Sequence, residues 1–149
     1  DALKWGVQSF KIGACQVTTD GALQLELNRK KRARDYHLHA IAPLVMIAEL
    51  AAANGLDAYG LCDGAIHRLV DFALTSVKSP ARIVALTGAA QQPIPEGNGQ
   101  PRGDRFAWVE PYFKRFGGSE AAYGFTLERP LYASTLGGRL TAYVEAGDK

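Results

Sequence analysis

One stretch of this chain, between residues 33 and 53, constrains the fold more than any other. Its apolar residues recur at spacings of three and four, which is the period of a helix that buries one face. These residues are Leu38, Ile41, Val45, Ala48 and Ala52. Asn54-Gly55 supplies a natural helix stop, whereas Pro43 is expected to kink the helix or to start a new one. The stretch therefore predicts a long, buried helical region.

Three further segments carry helix signals. The first covers residues 2–15, the second runs over 64–77 with Asp63 as its expected N-cap, and the third covers 104–116. Strong strand patterns are not found in the sequence. We therefore expect an all-α protein of antiparallel helix pairs joined by loops. Such a chain is a helical bundle, a helical solenoid or part of an (α/α) toroid.

The segments between these helices are predicted from residues that favour turns and from the alternation of apolar with polar residues. Residues 90–104 are rich in proline and glycine and form the longest predicted loop. Two short alternations of apolar residues are compatible with strand-like pieces: Leu23, Leu25 and Leu27, and later Leu140, Ala142 and Val144.

Composition indicates one globular domain that is almost neutral. The chain has 149 residues, 47% of them hydrophobic, and a formal net charge of +2. This size suffices for one domain with a hydrophobic core. A nucleic-acid-binding domain usually carries a larger and more distributed positive excess. No run of consecutive apolar residues approaches the length of a membrane span. Neither nucleic acid nor a membrane is therefore expected as a partner.

The two cysteines, Cys15 and Cys62, form neither a CxxC pattern nor a disulfide framework. Their plainest interpretation is a pair of small buried thiols. A single disulfide is the alternative if the protein resides in an oxidising compartment. The sequence leaves this choice open.

A basic run directly precedes a tyrosine near the start of the long helical stretch. Five of the six residues from Arg29 to Arg34 are positively charged. If the helix extends back to Arg29, that residue and Arg32 lie seven and four positions before Tyr36 and share its face. Guanidinium groups beside a tyrosine favour its phenolate form, such a tyrosine can transfer a proton, and arginines bind carboxylates in a bidentate manner. The pattern favours an acidic substrate and proton-transfer chemistry. A solvated helix face is the plainer alternative.

The segment FKIGACQVTTDGALQLELNRKKRARDYHLHAIAPLVMIAELAAANGLD, from Phe10 to Asp57, resembles the carboxy-terminal half of the periplasmic alginate lyases. This is a family of mannuronate lyases with an α/α-toroid fold. The resemblance rests on the spaced Gly, Leu, Glu-Leu, Arg, Arg-Ala and Tyr-His pattern, on PLVMIA and on the later RFAWVEPY, and it extends from Trp5 to Gly138. It implies that residues 1–149 form the carboxy-terminal part of one lyase domain whose amino-terminal half is absent. It also implies a periplasmic location.

The resemblance further implies a chemistry and assigns residues to it. Enzymes of this family cleave acidic polyuronates by β-elimination, with no metal or organic cofactor. The family's catalytic tyrosine falls on Tyr36, the expected proton donor to the leaving oxygen and the base for one sugar epimer. Its arginine falls on Arg29, which would hold the substrate carboxylate and favour the phenolate. Arg32, Arg105 and Trp108 are expected to bind the substrate along the sugar groove, with a place in the core as the alternative for Trp108.

Departures from the family's pattern leave parts of the function open. The family also uses an Asn-His pair, which is expected to come from the amino-terminal half of the same lyase. Thr135 stands where relatives are expected to have arginine, which would alter the uronate preference. His37 and His39 lie two positions apart and so point to different sides of a helix, which argues against a metal site. The alternatives are a binding module for acidic polysaccharides without chemistry and a helical module that binds nucleic acid or protein.

Overall fold

The computed structural model describes residues 1–97, 100–101, 103–133 and 138–141. Within them, six α-helices follow in chain order: α1 Ala2–Ala14, α2 Gln24–Leu27, α3 Ala33–Ala53, α4 Leu61–Lys78, α5 Ala81–Thr87 and α6 Val109–Phe116. Turns of 3-10 helix cover Lys30–Arg32, Gly103–Arg105 and Glu120–Tyr123. The described strands pair antiparallel, β1 Glu96–Gly97 with β2 Gln100–Pro101 and β3 Tyr132–Ala133 with β4 Gly138–Arg139. The expectation of a mainly helical protein is confirmed.

Helix α3 packs against both α1 and α4, which also contact each other. Gly6 and Gly13 of α1 lie beside Ile47 and Leu44 of α3, in that order, so the two helices run in opposite directions. On the other side, Arg34 at the start of α3 reaches carbonyl oxygens in the last turn of α4. The antiparallel helix pairs expected from the sequence are therefore present.

The buried stripe of α3 agrees with the predicted spacing. Four of its members have no exposed surface: Leu38, Ile41, Val45 and Ala48. Each large aliphatic side chain buried in this way stabilises the fold by about 1.5–3 kcal/mol. Pro43 lies on the exposed side of the helix, which continues through it to Ala53. The expectation that the helix restarts at Pro43 is therefore wrong, since only the solvent-facing side loses a backbone donor there.

By length and composition, one described helical stretch is apolar enough to cross a membrane, the 24 residues Lys30–Ala53 with a mean hydropathy of 1.4. About 44% of its apolar window is buried inside the protein. Phe10 of α1 and Ile66 of α4 belong to the same hydrophobic core as its buried side chains. Core helices often pass this test, so the hydropathy by itself is weak evidence for a membrane span.

A disulfide joins Cys15, at the end of α1, to Cys62 in the first turn of α4. The two Cα atoms are 5.3 Å apart, within the range that a disulfide spans. Cys15 is exposed and Cys62 is half-buried, so the interpretation as two buried thiols is wrong. Cys62, Asp63 and Gly64 have φ angles of 56°, 55° and 64°, and right-handed helix begins only after them. Asp63 therefore does not cap this helix, contrary to the prediction.

Short elements account for most remaining differences from the predicted secondary structure. The sequence does not predict α5, because the seven residues between Pro80 and Gly88 are too few to show a helical period. Helix α2 forms a single turn where alternating leucines suggested an extended piece. Helix α6 begins at Val109 and not at residue 104, because a 3-10 turn precedes it. Ala142 and Val144 lie outside the described residues.

Candidate functional site

Tyr36 lies in the first turn of α3, where two guanidinium groups flank its half-buried ring. Cζ of Arg29 is 4.5 Å from the centre of the tyrosine ring, and Cζ of Arg32 is 5.0 Å from it. Both distances are typical of cation–π contacts. The structure therefore brings together three residues that the sequence analysis assigned to one site. We refer to Arg29, Arg32 and Tyr36 as the cradle.

The backbone that carries the two arginines differs from the continuous helix on which their prediction rested. Lys30–Arg32 forms a 3-10 turn, and α3 begins only at Ala33. Lys30 has a φ of 55°, in the left-handed region. Arg29 therefore reaches Tyr36 across a turn and not along a helix face. The predicted proximity is present, but the reason given for it is wrong.

Both guanidinium groups of the cradle are accessible to a ligand. The side chain of Arg29 is 55% exposed, and its Nε lies 3.8 Å from Oε2 of Glu26 on α2. Arg32 is exposed as well. Two accessible guanidinium groups can bind a carboxylate close to a tyrosine that can transfer a proton.

Arg105 reaches the same end of α3 through the residue beside Tyr36. Its Nε donates a hydrogen bond to Oδ1 of Asp35, and its Nη1 lies 3.4 Å from Oδ1 of Asp104. Burial on its own lowers the pKa of Arg105, but the hydrogen bond and the charge of Asp35 raise that pKa above its ordinary value. The guanidinium thus links the turn Gly103–Arg105 to α3. Its expected contact with a uronate stays a prediction.

Trp108 occupies the core and not a groove surface. The residue is 1% exposed, and its Nε1 donates a hydrogen bond of 2.9 Å to the carbonyl oxygen of Arg105. A buried indole has no face to offer to a sugar ring. The expectation that Trp108 stacks on the substrate is therefore wrong, and the residue instead holds the backbone of Arg105.

Two histidines lie close to Tyr36 in the sequence but do not form a shared site. His37 is buried, and its Nε2 accepts a hydrogen bond of 3.0 Å from the backbone N–H of Leu23. Its Nδ1 therefore carries the proton and donates to the carbonyl oxygen of Ala33 at 2.7 Å. Burial lowers the pKa of His37. His39 is exposed, with its ring edge towards Tyr36. In the part of the chain that the structure describes, no group of three or more His, Cys, Asp or Glu side chains is placed to hold a metal ion.

Arg34 belongs to the basic run but has a structural role that the sequence does not signal. The residue is 8% exposed, and burial lowers its pKa. Its Nη1 donates to the carbonyl oxygens of Ser76 and Val77 at 3.1 and 3.3 Å, where α4 ends. Because Arg34 lies two positions before Tyr36 on a helix, the two side chains point to different sides of α3. Nothing in the basic run distinguishes this buried arginine from its exposed neighbours.

The two arginines of the cradle are exposed. A cavity of about 520 Å³ lies beside Arg34 and Lys78, and Tyr36 is not part of its lining. Thr135, the expected departure from the family's substrate contacts, lies outside the described residues. Its effect on uronate preference stays a prediction.

Comparisons of the sequence give one consistent result. The family model described as "Alginate lyase" matches residues 1–83. An alginate lyase of Pseudomonas syringae pv. tomato is 38% identical over 154 residues, which cover 100% of this chain and 40% of that protein. An alginate lyase of Azotobacter vinelandii is 34% identical over 146 residues, which cover 97% of this chain and 38% of that protein.

Solved structures agree with these matches. A histidine-to-alanine variant of alginate lyase A1-III, complexed with a tetrasaccharide, has a TM-score of 0.78 and 27% identity, covering 92% of this chain and 39% of that chain. Alginate lyase A1-III from Sphingomonas species A1 has a TM-score of 0.76 and 28% identity, covering 92% of this chain and 38% of that chain. A tyrosine-to-phenylalanine variant with a tetrasaccharide has a TM-score of 0.77 and 27% identity, with coverage of 92% and 39%. The chain spans about two fifths of the length of these relatives.

Proposed function

This chain belongs to the alginate lyase family, and from that membership we propose that it carries the proton-transfer site of a polysaccharide lyase that cleaves acidic polyuronates. The observation that carries the proposal is the contact of the Arg29 and Arg32 guanidinium groups with the Tyr36 ring. All three residues lie within residues 1–83, which the family model matches. The relatives are named for alginate, so alginate is the first substrate to test, with poly-mannuronate and other polyuronates beside it.

The reaction proposed for this site is β-elimination, and its first step transfers the proton on C5 of a uronate to a base, which is Tyr36 for one sugar epimer and a group of the amino-terminal part of the lyase for the other. That proton is acidic because C5 bears the C6 carboxylate, on which negative charge accumulates in an enolate-like intermediate. Arg29 and Arg32 bind the carboxylate and stabilise the developing charge. Groups that are already in position need no reorganisation at the moment of reaction.

The second step breaks the bond between C4 and O4. The electron pair left at C5 forms the C4–C5 double bond, and Tyr36 donates its hydroxyl proton to the leaving O4. The Tyr36 phenolate that remains regains a proton from solvent before the next turnover. Where the sugar epimer places the C5 proton on the same face as O4, Tyr36 starts as the phenolate, takes this proton in the first step and passes it to O4 in the second, so that one residue is both base and acid. The scheme requires no metal or organic cofactor.

The proposed partner of this site is the amino-terminal part of the same lyase, with an Asn-His pair that binds the substrate carboxylate from the other side. Two observations support it: the chain spans about two fifths of its relatives' length, and the side chains of Arg29 and Arg32 are exposed. Among the solved relatives are a histidine-to-alanine and a tyrosine-to-phenylalanine variant, each with a tetrasaccharide. We take Tyr36 as the counterpart of that tyrosine.

The architecture and compartment of the complete protein follow as further parts of the proposal. The antiparallel pairing of α3 with α1 and α4 is compatible with part of an α/α toroid. The disulfide between Cys15 and Cys62 suits an oxidising compartment, in agreement with a periplasmic location.

The test is the ultraviolet absorbance of the unsaturated uronate, measured with the complete protein that carries this chain and a panel of polyuronates. Tyr36→Phe keeps the ring that the guanidinium groups contact and removes only the hydroxyl, so turnover should fall about 10²–10⁴-fold. Tyr123→Phe is the matched control, because its hydroxyl lies 3.4 Å from Asp71 and belongs to another element. Its turnover should stay within about twofold of the unchanged protein.

A binding module without chemistry gives a different set of results. Calorimetry would detect binding of oligouronates, no polyuronate would yield the absorbance, and Tyr36→Phe would keep its affinity. That outcome would replace the lyase proposal by the binding alternative. A protein that neither binds nor cleaves any polyuronate would refute both.

A further inference from the structure

The turn that carries Arg29 and Arg32 contains a backbone conformation that needs support. Lys30 has a φ of 55° although it is not glycine. Such a residue keeps this conformation only where its surroundings over-determine it. Because Lys30 lies between the two arginines in the chain, its conformation sets the direction in which both side chains leave the turn.

The side chain of Gln91 is hydrogen-bonded to the backbone of Lys30, where this turn begins, and to the backbone of Arg34, just after the turn ends. Its Nε2 donates to the carbonyl oxygen of Lys30 at 3.0 Å, and its Oε1 accepts from the backbone N–H of Arg34 at 2.9 Å. Nε2 also donates to the carbonyl oxygen of Ala89 at 2.9 Å, which fixes the orientation of the amide. One amide thus joins Lys30 to Arg34 as both donor and acceptor.

The backbone of the next residue extends this contact. The N–H of Gln92 donates to the carbonyl oxygen of Lys31 at 2.8 Å, and the carbonyl oxygen of Gln92 accepts from Nη2 of Arg34 at 2.6 Å. The Nζ of Lys30 donates to the carbonyl oxygen of Thr87 at 3.3 Å. We refer to the Gln91 side chain and the Gln92 backbone together as the brace.

We infer that Gln91 is a positioning residue for the lyase reaction, holding the turn Lys30–Arg32 so that Arg29 and Arg32 face Tyr36. The kinetic part of this inference rests on the proposed function, whereas the geometric part concerns the turn alone. In the described part of the chain, the hydrogen bonds of the Gln91 side chain go to none of the cradle side chains. Gln91 therefore acts through the backbone of the turn.

The need for a donor and an acceptor separates Gln91 from a residue that only fills space. Glutamate at this position keeps an oxygen that accepts from the N–H of Arg34. It replaces the amino group that donates to Lys30 by a second acceptor, because an ionised carboxylate only accepts. Two acceptor oxygens then face each other where a hydrogen bond of 3.0 Å was. Gln91→Glu is therefore a test of the brace that preserves the size of the side chain.

The kinetic experiment compares Gln91→Glu and Gln91→Ala with Gln92→Ala in the complete protein. Gln92→Ala is the matched control, since Gln92 joins the brace through its backbone, which alanine retains. On polyuronate, both Gln91 variants should lower kcat/KM at least about 5–20-fold, because both lose the hydrogen bond to Lys30 and leave its carbonyl oxygen unpaired. The loss should appear mainly in kcat, because the cradle acts on charge that develops in the transition state. Gln92→Ala should stay within about twofold.

A second measurement tests the stability of the turn in the absence of substrate. Amide hydrogen exchange of residues 29–34 should be faster in both Gln91 variants and unchanged in Gln92→Ala. All assays are run well below each variant's unfolding midpoint, so that loss of folded protein does not mimic a positioning effect.

The two measurements separate the inference from the function on which it rests. Faster exchange with unchanged kcat/KM in Gln91→Glu would overturn the positioning role. Unchanged exchange in Gln91→Glu would overturn the brace itself. A complete protein without lyase activity would refute the proposed function and with it the kinetic part, while exchange would still decide whether Gln91 holds the turn.

Discussion

The disulfide between Cys15 and Cys62 gives a quantitative prediction of stability. It closes a loop across a sequence separation of 47 residues. In the chain-entropy description, a cross-link over this length stabilises the folded state by about 4 kcal/mol, because it restricts the unfolded chain. For a chain of 149 residues, each kcal/mol corresponds to about 2–4 °C in the unfolding midpoint. Reduction should therefore lower the midpoint by about 8–16 °C.

The assay is thermal unfolding followed by circular dichroism or calorimetry, with and without a thiol reductant. The double variant Cys15→Ser/Cys62→Ser is the control, and it should unfold near the temperature of the reduced protein whether or not reductant is present. A midpoint of the unchanged protein that does not respond to reductant, together with two titratable thiols before reduction, would refute the reasoning. It would show that the cysteines are not paired in solution.

Two buried charged groups give the remaining predictions. Arg34→Met leaves the carbonyl oxygens at the end of α4 without their donor and should lower the free energy of unfolding by about 1.5–3 kcal/mol in a urea titration; an unchanged urea midpoint would contradict this role. For Glu49, burial on its own raises the pKa, but hydrogen bonds from Arg115 and Tyr59 outweigh it and hold the pKa below its ordinary value of 4.5. The contribution of Glu49 to the free energy of unfolding is therefore complete at a pH above 4.5. It is lost as the pH falls through the lower pKa of the folded state, because in this range the unfolded chain binds more protons than the folded chain. Glu49→Gln should flatten the acid side of unfolding free energy plotted against pH, and equal acid slopes in the two proteins would rule out this assignment.

Local patterns account for what could be predicted correctly. The bounds of α3 follow from a stripe that is buried on one face and from the stop at Asn54-Gly55, both of which are readable within the segment itself. The proximity of Arg29, Arg32 and Tyr36 also depends on residues within eight positions of one another. It was predictable even though the turn at Lys30 was not.

Features that depend on distant partners could not be predicted in the same way. Trp108 and Arg105 share a segment rich in aromatic and charged residues, and the sequence does not tell which of them is buried or which carboxylate pairs with the arginine. The pairing of Cys15 with Cys62 depends on where α1 ends relative to α4. Gln91 carries no signal at all, because a glutamine in a proline-rich and glycine-rich loop is usually solvated.

The brace also predicts the order in which the parts of the protein form during folding. The residues that it joins are 57–61 positions apart, so its hydrogen bonds form only after a long segment of chain has closed on itself. Contacts of such separation are slow to form compared with a helical turn. The helical content of α3 can therefore be complete while Arg29 and Arg32 still lack their final direction. We therefore expect the fold and the assembled site to form in two separate events, with Gln91 taking part in the later one.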